Sequence, residues 1–341
     1  MKTTLWLAAA QSSQRDMLLS LQALKPDYDL HIIASHTHDR PEILSLADES
    51  FQEPKESPVP FVVENAIKHG AKVLLTGRNG IEYEPYRKQL QQAGVKLLTG
   101  ADNGDTLANI DDKAKFSQIC QANSLPVATA WQFDNIETLI QLINAHQDIR
   151  LCVKPTVGIF AEGFWILDTN DKPTDSFYHL YRTEHKKIST QEFIHAYQNS
   201  TFVKRTPMLL MPYLSGHEYS IDVVCEHGEV LAAVTRHKVG SVQYVDYDTD
   251  VMAVVIPLIR TFQCTGIVSV QTKADADGQH KILEINPRAS GGIGYTVHSG
   301  VDLTQLGLLY FAGLIDKPNL ADISAKITPC KVRPFLTSVA I

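Results

Sequence analysis

The sequence contains few cysteines, and these follow no motif. Five cysteines are spread over 341 residues, and no C-x-x-C pair occurs. Zinc sites and disulfide frameworks both depend on regular cysteine spacing, so neither is expected. Scattered cysteines inside apolar stretches are typical of reduced thiols in the core of a cytoplasmic protein. We therefore expect a cytoplasmic protein without structural zinc.

Long basic runs and long apolar runs are also missing. The formal net charge is −7, which argues against nucleic acid as the main partner. The apolar stretch from Leu5 to Ala10 covers only six residues. This is shorter than the core of a signal peptide and far shorter than a membrane span. We interpret it as a buried first strand and expect no association with a membrane.

The first third of the chain alternates strand-like and helix-like segments. No G-x-G-x-x-G follows the first strand, so a dinucleotide site there is not expected. Repeated strand–helix units of this length predict a parallel, doubly wound sheet. The predicted strands cover residues 4–9, 30–34, 73–76 and 95–98, and the predicted helices cover 16–24, a segment starting at Pro60, and 83–93.

A short stretch near the C-terminus concentrates the residues best suited to chemistry. Residues 281–292 read K-I-L-E-I-N-P-R-A-S-G-G. Glu284, Asn286 and Arg288 are spaced two apart, so on an extended backbone their side chains share one face. Carboxylate and amide oxygens suit Mg²⁺, and a guanidinium suits phosphate. The alternative is a strand end that carries a surface salt bridge.

This stretch resembles the metal-binding strand of the ATP-grasp superfamily, in which E-x-N-P-R carries metal ligands and a phosphate-binding arginine. The resemblance implies that Glu284 and Asn286 bind Mg²⁺ (or Mn²⁺) and that Arg288 is catalytic. Gln271 lies on the preceding predicted strand, residues 266–272, and is the implied third metal ligand. A glutamine there is similar to the carbamoyl-phosphate synthetase branch of carboxylate–amine ligases.

Two upstream lysines fit the same resemblance. Asp111 is expected to cap a helix that ends near residue 123, and Lys113 in its first turn is the implied phosphate ligand. Lys154 ends the apolar strand L-C-V-K, where its charge needs a partner that ATP phosphates would supply. Gly158 and Gly163 occupy the place of the superfamily's phosphate-covering loop, with fewer glycines than many relatives have.

The stretch L-L-M-P-Y-L-S-G-H-E, residues 209–218, resembles the nucleotide hinge of the superfamily. The resemblance implies that the backbone around Met211, Tyr213 and Leu214 meets adenine and that Glu218 binds the ribose hydroxyls. A plain hairpin is the alternative for this segment.

The C-terminal half is predicted to be an antiparallel sheet with a closing helix. Strands are expected at residues 219–224 and 229–235 around a His227-Gly228 turn, a helix within 300–313, and an edge strand in the tail. Arg236 and Lys238 share a strand face and are candidates for binding substrate carboxylate or γ-phosphate, with Ser290 and Gly291. An exposed basic edge is the alternative for the two cations.

Together these features predict an α/β protein that becomes α+β in its C-terminal half. We expect an ATP-grasp fold with a doubly wound subdomain over residues 1–108, an ATP-lid subdomain over 109–205, and a metal- and substrate-binding subdomain over 206–341. The resemblance implies an ATP- and Mg²⁺-dependent ligase that joins a small carboxylate to an amine through an acylphosphate. Phosphorylation of bicarbonate or carbamate, and a nucleotide-binding module without ligase activity, are the alternatives. A homodimer is left open.

Overall fold

The computed structural model describes residues 2–10, 13–77, 79–156, 162–168, 181, 186–201, 207–335 and 338. The chain divides into two compact units. The first contains residues 1–110, 217–272 and 283–341, and the second contains residues 111–216 and 273–282. Within the described ranges, no helix is long and apolar enough to cross a membrane.

The N-terminal part of the first unit is a five-stranded sheet in the order β3-β2-β1-β4-β5. Every neighbouring pair of strands is parallel, which confirms the predicted doubly wound sheet. The strands are β1 (Thr3–Leu7), β2 (Leu30–His36), β3 (Glu49–Gln52), β4 (Ala71–Leu75) and β5 (Lys96–Leu98). The helices are α1 (Ser13–Gln22), α2 (Pro41–Leu44), α3 (Pro58–Lys68), α4 (Gly80–Tyr83), α5 (Arg87–Gln92) and α6 (Gly104–Asp111).

The alternation of β1 explains why helices cover both faces of this sheet. Leu5 and Leu7 are fully buried in one core, which also contains residues of α1. Trp6 points to the other face and joins a second core that contains residues of α3. Successive side chains on a strand point to opposite faces, so an uninterrupted apolar strand requires a layer on each side. The helical members of these cores are Met17, Leu18 and Leu21 on α1 and Val59, Val62 and Val63 on α3.

Two segments of this sheet differ from the sequence prediction. The polar stretch after β2, to which the sequence analysis assigned no helix or strand, contains α2 and the edge strand β3. The single helix predicted over residues 83–93 is wrong, because α4 and α5 are separated by a 3₁₀ segment, Glu84–Tyr86. Pro85 lies in this segment and has no backbone N–H to donate, which disfavours one continuous helix.

The second unit is built around a five-stranded sheet in the order β6-β10-β7-β8-β9. Its strands are β6 (Trp131–Phe133), β7 (Leu151–Pro155), β8 (Trp165–Asp168), β9 (Lys187–Ser189) and β10 (Met208–Pro212). Its helices are α7 (Lys113–Ala122), α8 (Ile136–Ala145) and α9 (Thr190–Asn199). The predicted cap at Asp111 is wrong. Asp112 is the N-cap of α7, and its side chain accepts hydrogen bonds from the backbone N–H groups of Ala114 and Lys115. The cap must precede the first helical residue directly, and Asp111 instead ends α6.

The C-terminal sheet has six strands in the order β15-β14-β11-β12-β13-β16. The strands are β11 (Glu218–Glu226), β12 (Glu229–Val239), β13 (Val242–Asp246), β14 (Gly266–Ala274), β15 (His280–Asn286) and β16 (Cys330–Val332). The helices are α10 (Thr249–Thr261), α11 (Leu303–Phe311) and α12 (Leu320–Ser324), and Ile293–Ser299 forms a 3₁₀ segment.

Several predictions for this half are confirmed. β11 and β12 are antiparallel, and the turn residues His227 and Gly228 both have positive φ, as a tight hairpin requires. β16 is an edge strand, and α11 matches the predicted closing helix. The sequence interpretation missed β13 and α10.

Within the first unit, Gly100 lies directly against Pro287, just beyond the end of β15. A methyl group on Gly100 would come within 2.5 Å of both the Cβ and the carbonyl oxygen of Pro287. The loop that contains Gly100 is itself fixed by Arg87, which donates to the carbonyl oxygens of Leu97 (3.1 Å) and Ala101 (2.8 Å) and pairs with Glu84. The end of the E-I-N-P-R strand therefore packs against the Gly100 loop, which Arg87 holds in place.

We expect Gly100→Ala to destabilise the fold more than Gly70→Ala does. Both glycines have positive φ, of 97° and 62°, so each substitution strains the backbone by about 1–2 kcal/mol. Only at Gly100 does the new methyl group meet other atoms, since nothing lies within 4 Å of it at Gly70. Overpacking should add about 1–3 kcal/mol at Gly100. Chemical denaturation of the two variants measures the difference, and equal losses would mean that the Pro287 contact contributes nothing.

Candidate active site

The residues of β15 separate into core and site positions as the sequence suggested. Ile282 and Ile285 are 0% and 4% exposed, whereas Glu284 and Asn286 are half-buried. The buried isoleucines are three residues apart, so the alternation of the strand is interrupted at Leu283 and Glu284. The Asn286 side chain donates from Nδ2 to Glu284 Oε1 at 3.0 Å. This bond uses the side-chain amide nitrogen of Asn286. The side-chain oxygen, Asn286 Oδ1, is therefore the atom suited to a metal.

Arg288 follows β15 after Pro287 and is half-buried. Its backbone N–H donates to the carbonyl oxygen of Asn286 at 2.7 Å, which folds the chain tightly at this point. Its Nη1 donates to the carbonyl oxygen of Ala289 at 3.2 Å. A guanidinium has five N–H donors in a planar fork, so this bond is compatible with binding a phosphate or an oxyanion.

Gln271 lies on β14, the strand hydrogen-bonded to β15, and is half-buried. The candidate metal ligands are thus one carboxylate, Glu284, and two amides, Gln271 and Asn286. Among the residues that the structure describes, no group of three or more His, Cys, Asp or Glu side chains is arranged to hold a metal. An all-oxygen set with a single carboxylate fits Mg²⁺, which keeps waters and takes phosphate oxygens as its remaining ligands.

The most buried ionic interaction of the site joins Arg236 on β12 to Asp222 on β11. Arg236 donates to Asp222 Oδ2 from Nε at 3.0 Å and from Nη2 at 2.8 Å. Asp222 is 0% exposed and Arg236 is 4% exposed. Nη2 also donates to Ser290 Oγ at 2.8 Å, and Asp222 Oδ1 accepts from the backbone N–H of Ser290 at 3.3 Å. The pair therefore holds the loop that follows β15.

This loop wraps closely around the guanidinium. Ser290 Oγ accepts a hydrogen bond from the backbone N–H of Gly292 at 3.1 Å. A methyl group on Gly292 would lie 2.5 Å from Arg236 Nη1, so a larger residue there would displace the guanidinium. The ring of Tyr295 faces the Arg236 guanidinium, with Cζ 5.8 Å from the ring centroid. Gly291 is exposed and lies at the outer side of the loop.

The structure separates two cations that the sequence interpretation had grouped together. Lys238 is exposed on β12, whereas Arg236 is enclosed by Asp222 and Ser290. Substrate or phosphate binding by these residues stays a prediction, and the contacts give Arg236 a clear part in positioning the loop. Asp222 was missed. Its signal is a lone carboxylate inside the apolar strand S-I-D-V-V, because a buried carboxylate requires a partner.

In the second unit, the hinge strand β10 presents an open backbone edge. β6 pairs only with Met208 to Leu210, whereas β7 pairs with the strand as far as Pro212. In the described part of the chain, the backbone of Leu214 makes no hydrogen bond. The Tyr213 N–H already donates to the carbonyl oxygen of Arg150 at 2.7 Å, so of these residues Leu214 has the free backbone groups that an adenine edge would need. The predicted role of this backbone stays a prediction.

Two cationic side chains lie over the aromatic ring of Tyr213 in the hinge. The ring of Tyr213 faces Arg150 Cζ at 4.8 Å and Lys273 Nζ at 5.3 Å, measured to the ring centroid. Lys154 is half-buried on β7 and is paired through the backbone with Leu209.

The remaining predicted nucleotide residues lie on two elements and in one loop. Lys113 is half-buried at the first position of α7. Glu218 is exposed at the start of β11 in the first unit. Gly158 lies outside the described residues, and Gly163 has a φ of 67° and packs against Pro155.

Comparison with known proteins identifies this architecture. A family model described as "ATP-grasp in the biosynthetic pathway with Ter operon" matches residues 204–335. The ADP complex of an N5-carboxyaminoimidazole ribonucleotide synthetase superposes with a TM-score of 0.68 at 15% identity, over 97% of this chain and 80% of that chain. The chain has the ATP-grasp fold.

Two other solved structures show the same likeness. The L-amino acid ligase from Bacillus licheniformis has a TM-score of 0.64 at 17% identity, over 96% of this chain and 78% of that one. The biotin carboxylase from Campylobacter jejuni has a TM-score of 0.66 at 15% identity, over 96% and 73%. The ATP-grasp resemblance drawn from the sequence is confirmed, while the similarity to the carbamoyl-phosphate synthetase branch and the three-subdomain boundaries stay predictions.

Substitutions in the buried Asp222–Arg236 pair test whether this ion pair stabilises the fold around the site. We expect Arg236→Met to lower the free energy of unfolding by about 3–5 kcal/mol, because it leaves Asp222 buried without a counter-ion. Adding Asp222→Leu should recover part of this loss, since both charges are then removed. Lys238→Met, on the same strand but exposed, is the control and should change stability by less than about 0.5 kcal/mol. A small loss of stability in Arg236→Met, together with complete loss of substrate binding, would instead make Arg236 a ligand.

Proposed function

We propose that the protein is an ATP-dependent ligase that joins a carboxylate to an amine through an acylphosphate, with release of ADP and phosphate. The observation that supports it most is the strand-end arrangement of Glu284, Asn286 and Arg288, braced by the Asp222–Arg236 pair. The similar structures include an ADP complex of a synthetase and an amino acid ligase, which supports the same class of reaction.

In this proposal Gln271, Glu284 and Asn286 hold Mg²⁺. The ion would neutralise negative charge on the nucleotide phosphates. Arg288 is the catalytic residue, because its fork can donate to the oxygens on which charge accumulates during phosphoryl transfer and during attack of the amine. Positioning and charge neutralisation are enough for this chemistry, which needs no nucleophilic side chain from the protein.

The roles proposed for the second unit concern the nucleotide. The backbone from Met211 to Leu214, including Tyr213, would meet adenine, with Leu214 offering the free hydrogen-bonding groups. Lys113 and Lys154 would bind phosphates. In the first unit, Glu218 would bind the ribose, and Ser290 and Gly291 would offer donors to substrate oxygens. The substrates in this proposal are small molecules.

The test is ADP release with Mg·ATP across a panel of carboxylic acids and amines. We expect release to require both an acid and an amine, and Glu284→Gln to reduce it on the order of 10²-fold or more, the loss found when one charge-stabilising group is removed. Glu64→Gln, an exposed glutamate on α3, is the control and should behave like the wild type.

Two results would contradict the proposal. Turnover of Glu284→Gln within a few-fold of wild type at saturating Mg²⁺ would exclude Glu284 as a metal ligand. Absence of any acid-stimulated release from the wild type, with ATP binding retained, would favour a nucleotide-binding module instead.

A further inference from the structure

A cavity of about 410 Å³ lies at the end of the C-terminal sheet where β11 turns into β12. Its volume is in the range of small-molecule sites. The hairpin turn forms one wall, the C-terminal half of α10 a second, and the start of α12 a third. All of these elements belong to the first unit. The side chains that line the cavity are those of His227, Glu229, Val230, Ile256, Arg260 and Leu320.

The wall formed by the turn is held by hydrogen bonds around Asp102. His227 Nδ1 donates to Asp102 Oδ2 at 2.6 Å, and Thr265 Oγ1 donates to the same oxygen at 2.8 Å. The backbone N–H of His227 donates to Thr265 Oγ1 at 2.9 Å. His227 has a φ of 48°, a conformation that residues other than glycine adopt infrequently. The imidazole is thus fixed through Nδ1, which leaves its Nε2 edge for a ligand.

The turn and the end of α10 are packed tightly against each other. A methyl group on Gly228 would lie 2.7 Å from Gln263 Nε2 and 3.1 Å from the Cα atom of Arg260. Gln263 Nε2 itself donates to the carbonyl oxygen of Arg260 at 2.7 Å. The backbone of Arg260 is therefore held in place next to the turn, while its side chain is exposed beside the cavity.

In the described part of the chain, one charged group that lines the cavity has no ion-pair partner. His227 pairs with Asp102, and Glu229 pairs with Lys317 at 2.6 Å. The Arg260 guanidinium makes no hydrogen bond and no ion pair with any described residue. The cavity thus carries one uncompensated positive charge, which matches a ligand with a single negative charge. A planar guanidinium can bind the two oxygens of a carboxylate at once.

The rest of the lining is apolar. Val230 is 7% exposed, and Ile256 and Leu320 are half-buried. These three side chains come from β12, α10 and α12, so they approach the cavity from different sides. Apolar side chains around a small number of polar groups are the usual lining of a small-molecule site. The part of a ligand that contacts them is expected to be an apolar chain.

We propose that this cavity binds a small carboxylate with a short apolar chain. Arg260 binds the carboxylate, His227 adds a donor from Nε2 when its imidazole is protonated, and the apolar chain contacts the three apolar side chains. The cavity is separate from the candidate active site, because the five residues of extended strand from Asp222 to His227 span about 17 Å. The inference does not depend on the proposed ligase function.

The first experiment measures binding to the full-length protein without ATP by ligand-detected NMR, which suits the weak binding of so small a ligand. The probes are 4-methylpentanoate, its amide, acetate, inorganic phosphate and L-leucine. We expect 4-methylpentanoate to bind more tightly than acetate, which lacks the apolar chain, and more tightly than the amide, which lacks the charge. Phosphate should bind more weakly than 4-methylpentanoate. L-leucine differs from 4-methylpentanoate only in its ammonium group, so this pair shows whether the ligand is an amino acid or a simple acid.

Substitutions in the cavity test which side chains carry the binding. Arg260→Met keeps the aliphatic stem and should raise the Kd of 4-methylpentanoate roughly tenfold or more, the effect of losing charged hydrogen bonds. Arg333→Met, at an exposed arginine just beyond β16, is the matched control and should bind like the wild type. Leu320→Asn should weaken the binding of 4-methylpentanoate but not that of acetate. Because Arg260 is exposed, its substitution should leave the Tm unchanged.

Glu284→Gln separates this cavity from the candidate active site. It should leave the binding of 4-methylpentanoate without ATP unchanged, even if it abolishes turnover. Binding that is lost in Glu284→Gln and kept in Arg260→Met would place the carboxylate in the candidate active site and overturn the inference. Phosphate that binds as tightly as 4-methylpentanoate, or a wild type that binds no carboxylate, would also overturn it. ADP release tests the ligase proposal separately, so either proposal can fail without the other.

Discussion

The candidate site depends on one buried ionic interaction, between Asp222 and Arg236. Two charges that are almost completely removed from water are tolerable only if each satisfies the other and the remaining donors and acceptors are used. Here the remaining bonds go to the side chain and backbone of Ser290. The pair therefore joins two neighbouring strands to the loop after β15. The loop that follows Arg288 is thereby held against both strands.

A second constraint on the same strand end comes from a loop much earlier in the chain. Pro287 lies against Gly100, and the Gly100 loop is tied to Arg87 and Glu84. The segment from Glu284 to Arg288 is thus held on one side by the Gly100 loop and followed by the loop that the Asp222–Arg236 pair holds. Catalysis by positioning and charge requires groups that are held in place before the substrate arrives. The rigid supports around this segment are consistent with such a site.

Local patterns were enough to predict much of this from the sequence. The apolar run of β1 and the repeated strand–helix units specified the parallel sheet, and the His227-Gly228 pair specified the β11–β12 hairpin. Glu284, Asn286 and Arg288 were selected because two-residue spacing places side chains together on a strand without knowledge of any distant contact, and their roles stay predictions.

The parts that escaped prediction depend on contacts between distant residues. The predicted hairpin places Asp222 and Arg236 on neighbouring strands, but the local pattern did not reveal their ion pair, and nothing local pairs Gly100 with Pro287. Arg236 and Lys238 share a strand face, which is why the sequence analysis grouped them. The burial of Arg236, however, is set by its partner Asp222, which lies on another strand. Boundary errors had local causes instead, such as Pro85 dividing a helix and Asp112 rather than its neighbour capping α7.

In the proposed reaction, a substrate carboxylate attacks the terminal phosphate of ATP. Its most direct measurement is oxygen transfer with a carboxylate substrate labelled with ¹⁸O in both oxygens, in the presence of Mg·ATP and the amine. If an acylphosphate forms and the amine displaces phosphate from it, one labelled oxygen must appear in each inorganic phosphate, detected by mass spectrometry. We expect singly labelled phosphate in step with ADP release. Unlabelled phosphate released at the same rate would contradict the claim, because water would then be the acceptor of the phosphoryl group.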